Sequence, residues 1–127
     1  MKRTMLLHGE LSGLVATLGH GDLLVVGDAG LPVPRGVRCI DLALSRGIPG
    51  VFDVLDALLT EMVVERAALA EEAAPELQKR FCQRNICTVA RLPHTTFKTC
   101  TIEARAIVRT GEFTPYANIC LWSGVAF

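Results

Sequence analysis

The chain carries no excess of charge of either sign. Thirteen Lys and Arg balance thirteen Asp and Glu. Each half is balanced as well, with five basic against six acidic residues up to Thr60 and eight against seven beyond it. Proteins that hold nucleic acid by neutralising phosphates need a basic face, so this composition disfavours that class. Long apolar runs are also missing. No stretch reaches the roughly 18–20 residues of a membrane span. After Met1-Lys2-Arg3 only Met5-Leu6-Leu7 precede His8 and Glu10, too few for the apolar core of a signal peptide. No membrane and no nucleic acid are therefore expected as partners. The five cysteines, Cys39, Cys82, Cys87, Cys100 and Cys120, are odd in number and form no Cys-x-x-Cys pair. That pattern fits a reduced, cytoplasmic protein. Cys100 and Cys120 lie in apolar-rich segments and read as small buried hydrophobes. His8, His20 and His94 have no zinc-site spacing. A P-loop, Gly-x-Ser-x-Gly and His-Glu-x-x-His are absent. Gly19-x-Gly21 starts like a dinucleotide fingerprint, but Leu24 stands at the third glycine and the cluster precedes a strand. The expectation is no cofactor and no metal.

What is present is a short, apolar chain. It has 127 residues, 50% of them hydrophobic, and a mean hydropathy of +0.38. That length is one domain on the prior of roughly 100–200 residues each. The apolar content excludes a long disordered chain. With no net charge to keep copies apart, surplus apolar surface points to a homo-oligomer.

Periodicity outlines the elements. Leu7, Leu11, Leu14, Val15 and Leu18 predict a helix over 10–18, with Gly19 as its stop. Leu23-Leu24-Val25-Val26-Gly27 is a continuous apolar run, as in a strand buried on both faces. Residues 28–34 hold two prolines and a glycine and form a loop. A short strand is expected over 39–42, a helix over 51–60, a strand over 62–69 and a helix over 75–84 with Pro75 in its first turn. Strand 86–92, helix 94–102, strand 104–109, a turn over 111–115 and strand 118–122 follow. Helices alternating with apolar strands imply an α/β sheet covered by helices on both faces. In such sheets ligands collect beyond the carboxyl ends of the strands.

The chemistry-bearing residues concentrate near those ends. His20 lies between two glycines, where backbone freedom allows close approach, and histidine suits proton transfer near neutrality. It could equally cap the preceding helix. Asp28 ends the best strand, as a ligand contact or as the acceptor of an Asx turn. Asp22 reads as a turn residue before that strand. His94 follows Pro93, either as a site residue or as a surface residue at a helix start. Tyr116, Ala117 and Asn118 open the last strand; the Tyr116 hydroxyl and the Asn118 amide suit a polyol, or serve a packed aromatic and a turn. Trp122 could stack on a sugar face, though a terminal-strand Trp is more often core or interface.

Taken in order, these motifs resemble the ribose pyranase and fucose mutarotase family. The matching stretches are LGHGD at 18–22, VVGDAGLPVP at 25–34, IDLAL at 40–44 with GIP at 47–49, and AIVRTGEFTPYANICLWSGVAF at 106–127. EMVVE at 61–65 and PHTTFK at 93–98 match more weakly. The resemblance implies a single domain over residues 1–127 with a three-layer α/β/α fold. It implies ring-shaped homo-oligomers, typically decamers, with active sites between neighbouring subunits. It also implies cofactor-free interconversion of the β-pyranose and β-furanose forms of D-ribose, making the monosaccharide the partner. By the same resemblance His20 is the proton donor, and Asp28, His94, Tyr116, Ala117 and Asn118 contact substrate. Gly21 after His20 follows fucose-type relatives, whereas the DAGLPVP and PYAN segments follow the ribose branch; residues 70–90 are shorter than usual there. Mutarotation of L-fucose or another monosaccharide, and sugar binding without turnover linked to ribose uptake, are the alternative readings.

Overall fold

A computed structural model describes all 127 residues, Met1–Phe127. The chain begins with α1 (Gly9–Thr17), β1 (Leu23–Gly27), β2 (Cys39–Asp41) and α2 (Val51–Leu59). It continues through β3 (Val64–Ala70), α3 (Pro75–Cys82), β4 (Val89–Leu92) and α4 (His94–Cys100). A short 3-10 turn at Thr101–Glu103 leads into β5 (Ala106–Arg109) and β6 (Ile119–Ser123).

The six strands form one sheet in the order β2-β5-β1-β6-β3-β4. β1, β2 and β5 run parallel, as do β3 and β4. β6 lies between β1 and β3 and is antiparallel to both. The carboxyl ends of the other strands therefore share an edge with the amino end of β6. This inversion brings residues 116–118 beside Asp28.

Strand alternation splits the core in two. Leu24, Val26, Leu69, Val108, Ile119 and Leu121 face α1, α2 and α3, which contribute Leu11, Leu14, Leu55, Leu58, Leu77 and Phe81. Val25, Ala68, Ile107 and Cys120 face the other way, against Phe97 of α4 and Leu31. The result is three layers, α/β/α. Every residue of β1 is buried, which explains its unbroken apolar run.

Several boundaries differ from the sequence expectation for identifiable reasons. α1 ends at Thr17 because Leu18 is already extended; at its start His8 Nδ1 accepts the Leu11 N–H. β3 begins at Val64, two residues late, because the Met62 N–H still donates to the Leu58 carbonyl of α2. The expected strand over 86–92 shrinks to Val89–Leu92. Asn85 adopts φ 50° after α3, and Ile86 and Cys87 pack onto the larger core without joining the ladder. The helix expected over 94–102 divides at Thr101, whose hydroxyl donates to the Lys98 carbonyl.

Candidate active site

Asp28 follows the last residue of β1. Its Oδ1 accepts the Gly30 N–H at 2.9 Å, closing an Asx turn. Its own N–H donates to Asn118 Oδ1 at 2.7 Å. Asn118 is 1% exposed, so the two loops are locked together from opposite directions of the chain. The Asx-turn reading of Asp28 is observed, and its second carboxylate oxygen makes no hydrogen bond within the chain. The Asn118 oxygen is engaged, which leaves its Nδ2 donors for the cleft.

Tyr116 sits in the left-handed region at φ 61°. For a bulky residue this costs on the order of 1–3 kcal/mol and persists only where the surroundings impose it. The turn that leads into it is anchored by Glu112. Its carboxylate accepts the Thr114 N–H and hydroxyl and reaches across to the Val51 N–H at the start of α2. Burial would push this carboxyl up, but those hydrogen bonds together hold it below the usual carboxylate range.

His94 opens α4, and its N–H is held by both carboxylate oxygens of Glu72 at 2.9 and 3.0 Å. That backbone hydrogen bond holds the Glu72 carboxyl below its ordinary value. The His94 ring meets Tyr116 edge-on, with centroids 5.0 Å apart. Its Nδ1 is buried without a hydrogen-bond partner. A buried imidazole nitrogen left open is costly. Asp28, His94, Tyr116 and Asn118, with Leu31 and Pro32, line a cleft of about 210 Å³. A second cleft of about 360 Å³ adjoins it through Asp28, Gly30 and Pro115 and contains Arg109 and Glu112. Ala117 is fully buried in the larger core, so only its backbone can meet a ligand.

His20 lies elsewhere. It precedes β1, at the opposite edge of the sheet from Asp28, so the five residues of β1 separate them. At about 3.3 Å per residue that is roughly 17 Å. It does not cap α1; its Nε2 pairs with Glu65 Oε2 at 2.7 Å. Asp22 does organise this turn, accepting the Gly19 N–H and pairing with Arg105. Trp122 is covered by the Arg66 guanidinium, 4.2 Å from its ring centroid, so that face is not open to a sugar. Glu65, Glu72 and Glu112 were not singled out from sequence. Glu65 and Glu112 do stand inside the EMVVE and GEFTPYANI stretches. No three His, Cys, Asp or Glu side chains cluster as a metal site.

Fold and site together define a small α/β domain whose edge cleft gathers carboxylate, amide, phenol and imidazole groups, a set suited to hydrogen-bonding hydroxyls. The sequence matches the RbsD / FucU transport protein family over residues 1–126, and the chain belongs to that family. It is 52% identical to the D-ribose pyranase of Variovorax paradoxus (strain S110), with both chains covered in full. The solved structure of Bacillus subtilis RbsD complexed with D-ribose matches with a TM-score of 0.92 at 43% identity, again covering both chains completely. The fucose mutarotase of Streptococcus pneumoniae in complex with L-fucose matches over both full lengths with a TM-score of 0.80 at 25% identity.

Proposed function

We propose that the chain is a cofactor-independent isomerase that interconverts the β-pyranose and β-furanose forms of D-ribose, acting as a single domain over residues 1–127. The observation that carries this reading is the Asp28, His94, Tyr116 and Asn118 cleft in a chain so close to proteins named D-ribose pyranase. Ribose is preferred over L-fucose because identity to the fucose mutarotase is only 25%.

The reaction needs little beyond placed proton donors and acceptors. The bond from C1 to the ring oxygen breaks and its electron pair stays on that oxygen, which takes a proton. The anomeric hydroxyl loses its proton and becomes the aldehyde carbonyl. The C4 hydroxyl then adds to C1 and loses its proton, while the carbonyl oxygen regains one. No electrons leave the sugar, so no electron sink is required. His20 is the proton donor in this proposal. Asp28 Oδ2, the Asn118 amide, the Tyr116 hydroxyl and the Ala117 backbone hold the hydroxyls, and His94 Nδ1 takes one more.

His20 and Asp28 sit at opposite edges of one chain, so a complete site needs His20 from a second copy. This supports a homo-oligomer with shared sites, for which we propose the decameric ring of the family. Apolar surface is available for such contact: Met5, Leu44 and Ile48 are 65%, 82% and 55% exposed. No helix is long and apolar enough to cross a membrane, and cytoplasmic placement is part of the proposal.

Saturation-transfer NMR on D-ribose tests the reading. Pyranose and furanose signals should exchange faster with protein present, and His20→Ala should lose about 10²–10⁴-fold of that acceleration while keeping fold and assembly. Unchanged exchange for D-ribose with the intact protein would refute it. Faster α/β exchange of L-fucose alone would move the function to mutarotation.

A further inference from the structure

α4 has no side-chain cap of its own. Pro93 precedes it, and proline offers neither a hydroxyl nor a carboxylate to a helix start. The first N–H of the helix belongs to His94. Glu72, 22 residues earlier in the chain, takes it with carboxylate oxygens 2.9 and 3.0 Å away. That bond draws the Glu72 carboxyl below its ordinary value. Glu72 lies in the turn between β3 and α3, and the turn is braced from several directions. The Glu71 N–H donates to the Leu92 carbonyl at the end of β4, and the Ala73 N–H to the Ala70 carbonyl. Gln78 of α3 donates its side-chain amide to the Glu71 and Ala73 carbonyls and accepts from Arg91 of β4. A carboxylate on a braced turn thus holds the backbone that carries the His94 ring.

The ring itself has little freedom. Phe97, fully buried, stacks with it at 6.2 Å between centroids and 16° between planes. Tyr116 meets it edge-on at 5.0 Å. Nδ1 is buried without a partner in the chain, and the residue lines the cleft with Asp28, Tyr116 and Asn118. A ring so confined follows its backbone, and binding groups misplaced by about 1 Å lose much of their effect. Glu72 is exposed and adds nothing to the core. What it fixes is where α4 begins.

We propose that Glu72 is a positioning residue for His94. By holding the His94 N–H it sets the start of α4, and with it the depth and angle at which Nδ1 meets a sugar hydroxyl. Glu72 touches no sugar and moves no proton. Without it the imidazole loses its register with Asp28 and Asn118 across the cleft. Binding then weakens for the ring and open-chain forms alike, while the proton transfers at C1 proceed as before. The inference rests on His94 being a sugar contact of the proposed isomerase.

Exchange kinetics on D-ribose with the full-length assembly test it. Glu72→Ala should raise KM by about 3- to 10-fold, the worth of one hydrogen bond. Its kcat should stay within about twofold, the pattern of lost uniform binding. Glu72→Gln, whose amide oxygen still accepts an N–H, should recover part of the loss. The double variant separates positioning from a merely structural role. His94→Ala keeps the backbone N–H that Glu72 holds but has no ring to place, so Glu72→Ala should add nothing to its KM. A native KM in Glu72→Ala, an equal rise with and without the His94 ring, or a glutamine variant no better than alanine overturns the proposal. If the alanine variant fails to assemble, Glu72→Asp decides, since its carboxylate is drawn back by one methylene. It should raise KM and shift the His94 ring resonances, assigned as those missing in His94→Ala; a native KM there overturns the proposal equally. A native protein that fails to accelerate ribose exchange refutes the functional reading instead, while the ring resonances of the Glu72 variants still show whether Glu72 places the ring.

Discussion

Glu112 shows how one side chain can tie two segments of a site together. It ties the Thr114 turn to the start of α2, and that turn carries Tyr116. Hydrogen bonds outweigh its burial and keep the carboxyl below its ordinary value. The unfolded chain releases its proton near pH 4.3. The folded carboxylate therefore contributes its full stabilisation above that pH and loses it as pH falls through the lower folded value. Glu112→Gln should cost about 1 kcal/mol in urea denaturation at pH 7, and its deficit should shrink in strong acid. A deficit constant with pH would contradict the assignment. The cysteines make a simpler case. Burial pushes the Cys120 thiol well up, with Cys100 adding to the effect, and the thiolate is the reactive form. A thiol reagent at pH 8 should label exposed Cys82 in the native protein and reach Cys120 only after denaturation.

Among the elements, the loop between β5 and β6 depends on a close backbone approach. A Cβ on Gly111 would lie 2.4 Å from the Ser45 carbonyl oxygen and 2.5 Å from that of Ile48. Neither neighbour can retreat, because the Gly47 N–H bonds the Gly111 carbonyl and the Gly111 N–H bonds that of Pro49. Gly111→Ala should destabilise the fold by at least about 1–3 kcal/mol and weaken sugar binding through Glu112 next to it. An unchanged denaturation midpoint would show that the loop has room to move. Elements with strong local signals were legible in advance. β1 announced itself by its apolar run, and α2 by the spacing of Val51, Val54, Leu55 and Leu58, all buried. β4 was read three residues too long, because the left-handed turn at Asn85 carries no Gly or Pro to mark it. A bulge in β3 at Glu65 was invisible, since it is defined by a partner strand more than fifty residues away.

At the scale of the molecule, the sheet is a divider. Its carboxyl edge carries Asp28, His94, Tyr116 and Asn118, and its other edge carries His20 and Glu65. A cleft of about 400 Å³ lined by Leu6, Leu42, Pro49 and Val54 adds apolar surface suited to contact between copies. The proposed sharing of sites between copies makes a specific prediction. His20→Ala and Asn118→Ala should each be inactive alone. Co-refolded in equal amounts, they should regain about a quarter of native activity, because random assembly pairs an intact His20 with an intact Asn118 at that frequency. A mixture as inactive as its parts would place the whole site within one chain. The amino-acid sequence by itself determined the α/β class, most elements and the residue types of the site, because helix and strand periods and turn chemistry are local. Only the tertiary structure decided which of those residues meet. The antiparallel insertion of β6 between β1 and β3, which joins Asn118 to Asp28 and parts both from His20, arises from long-range strand pairing that no local pattern encodes.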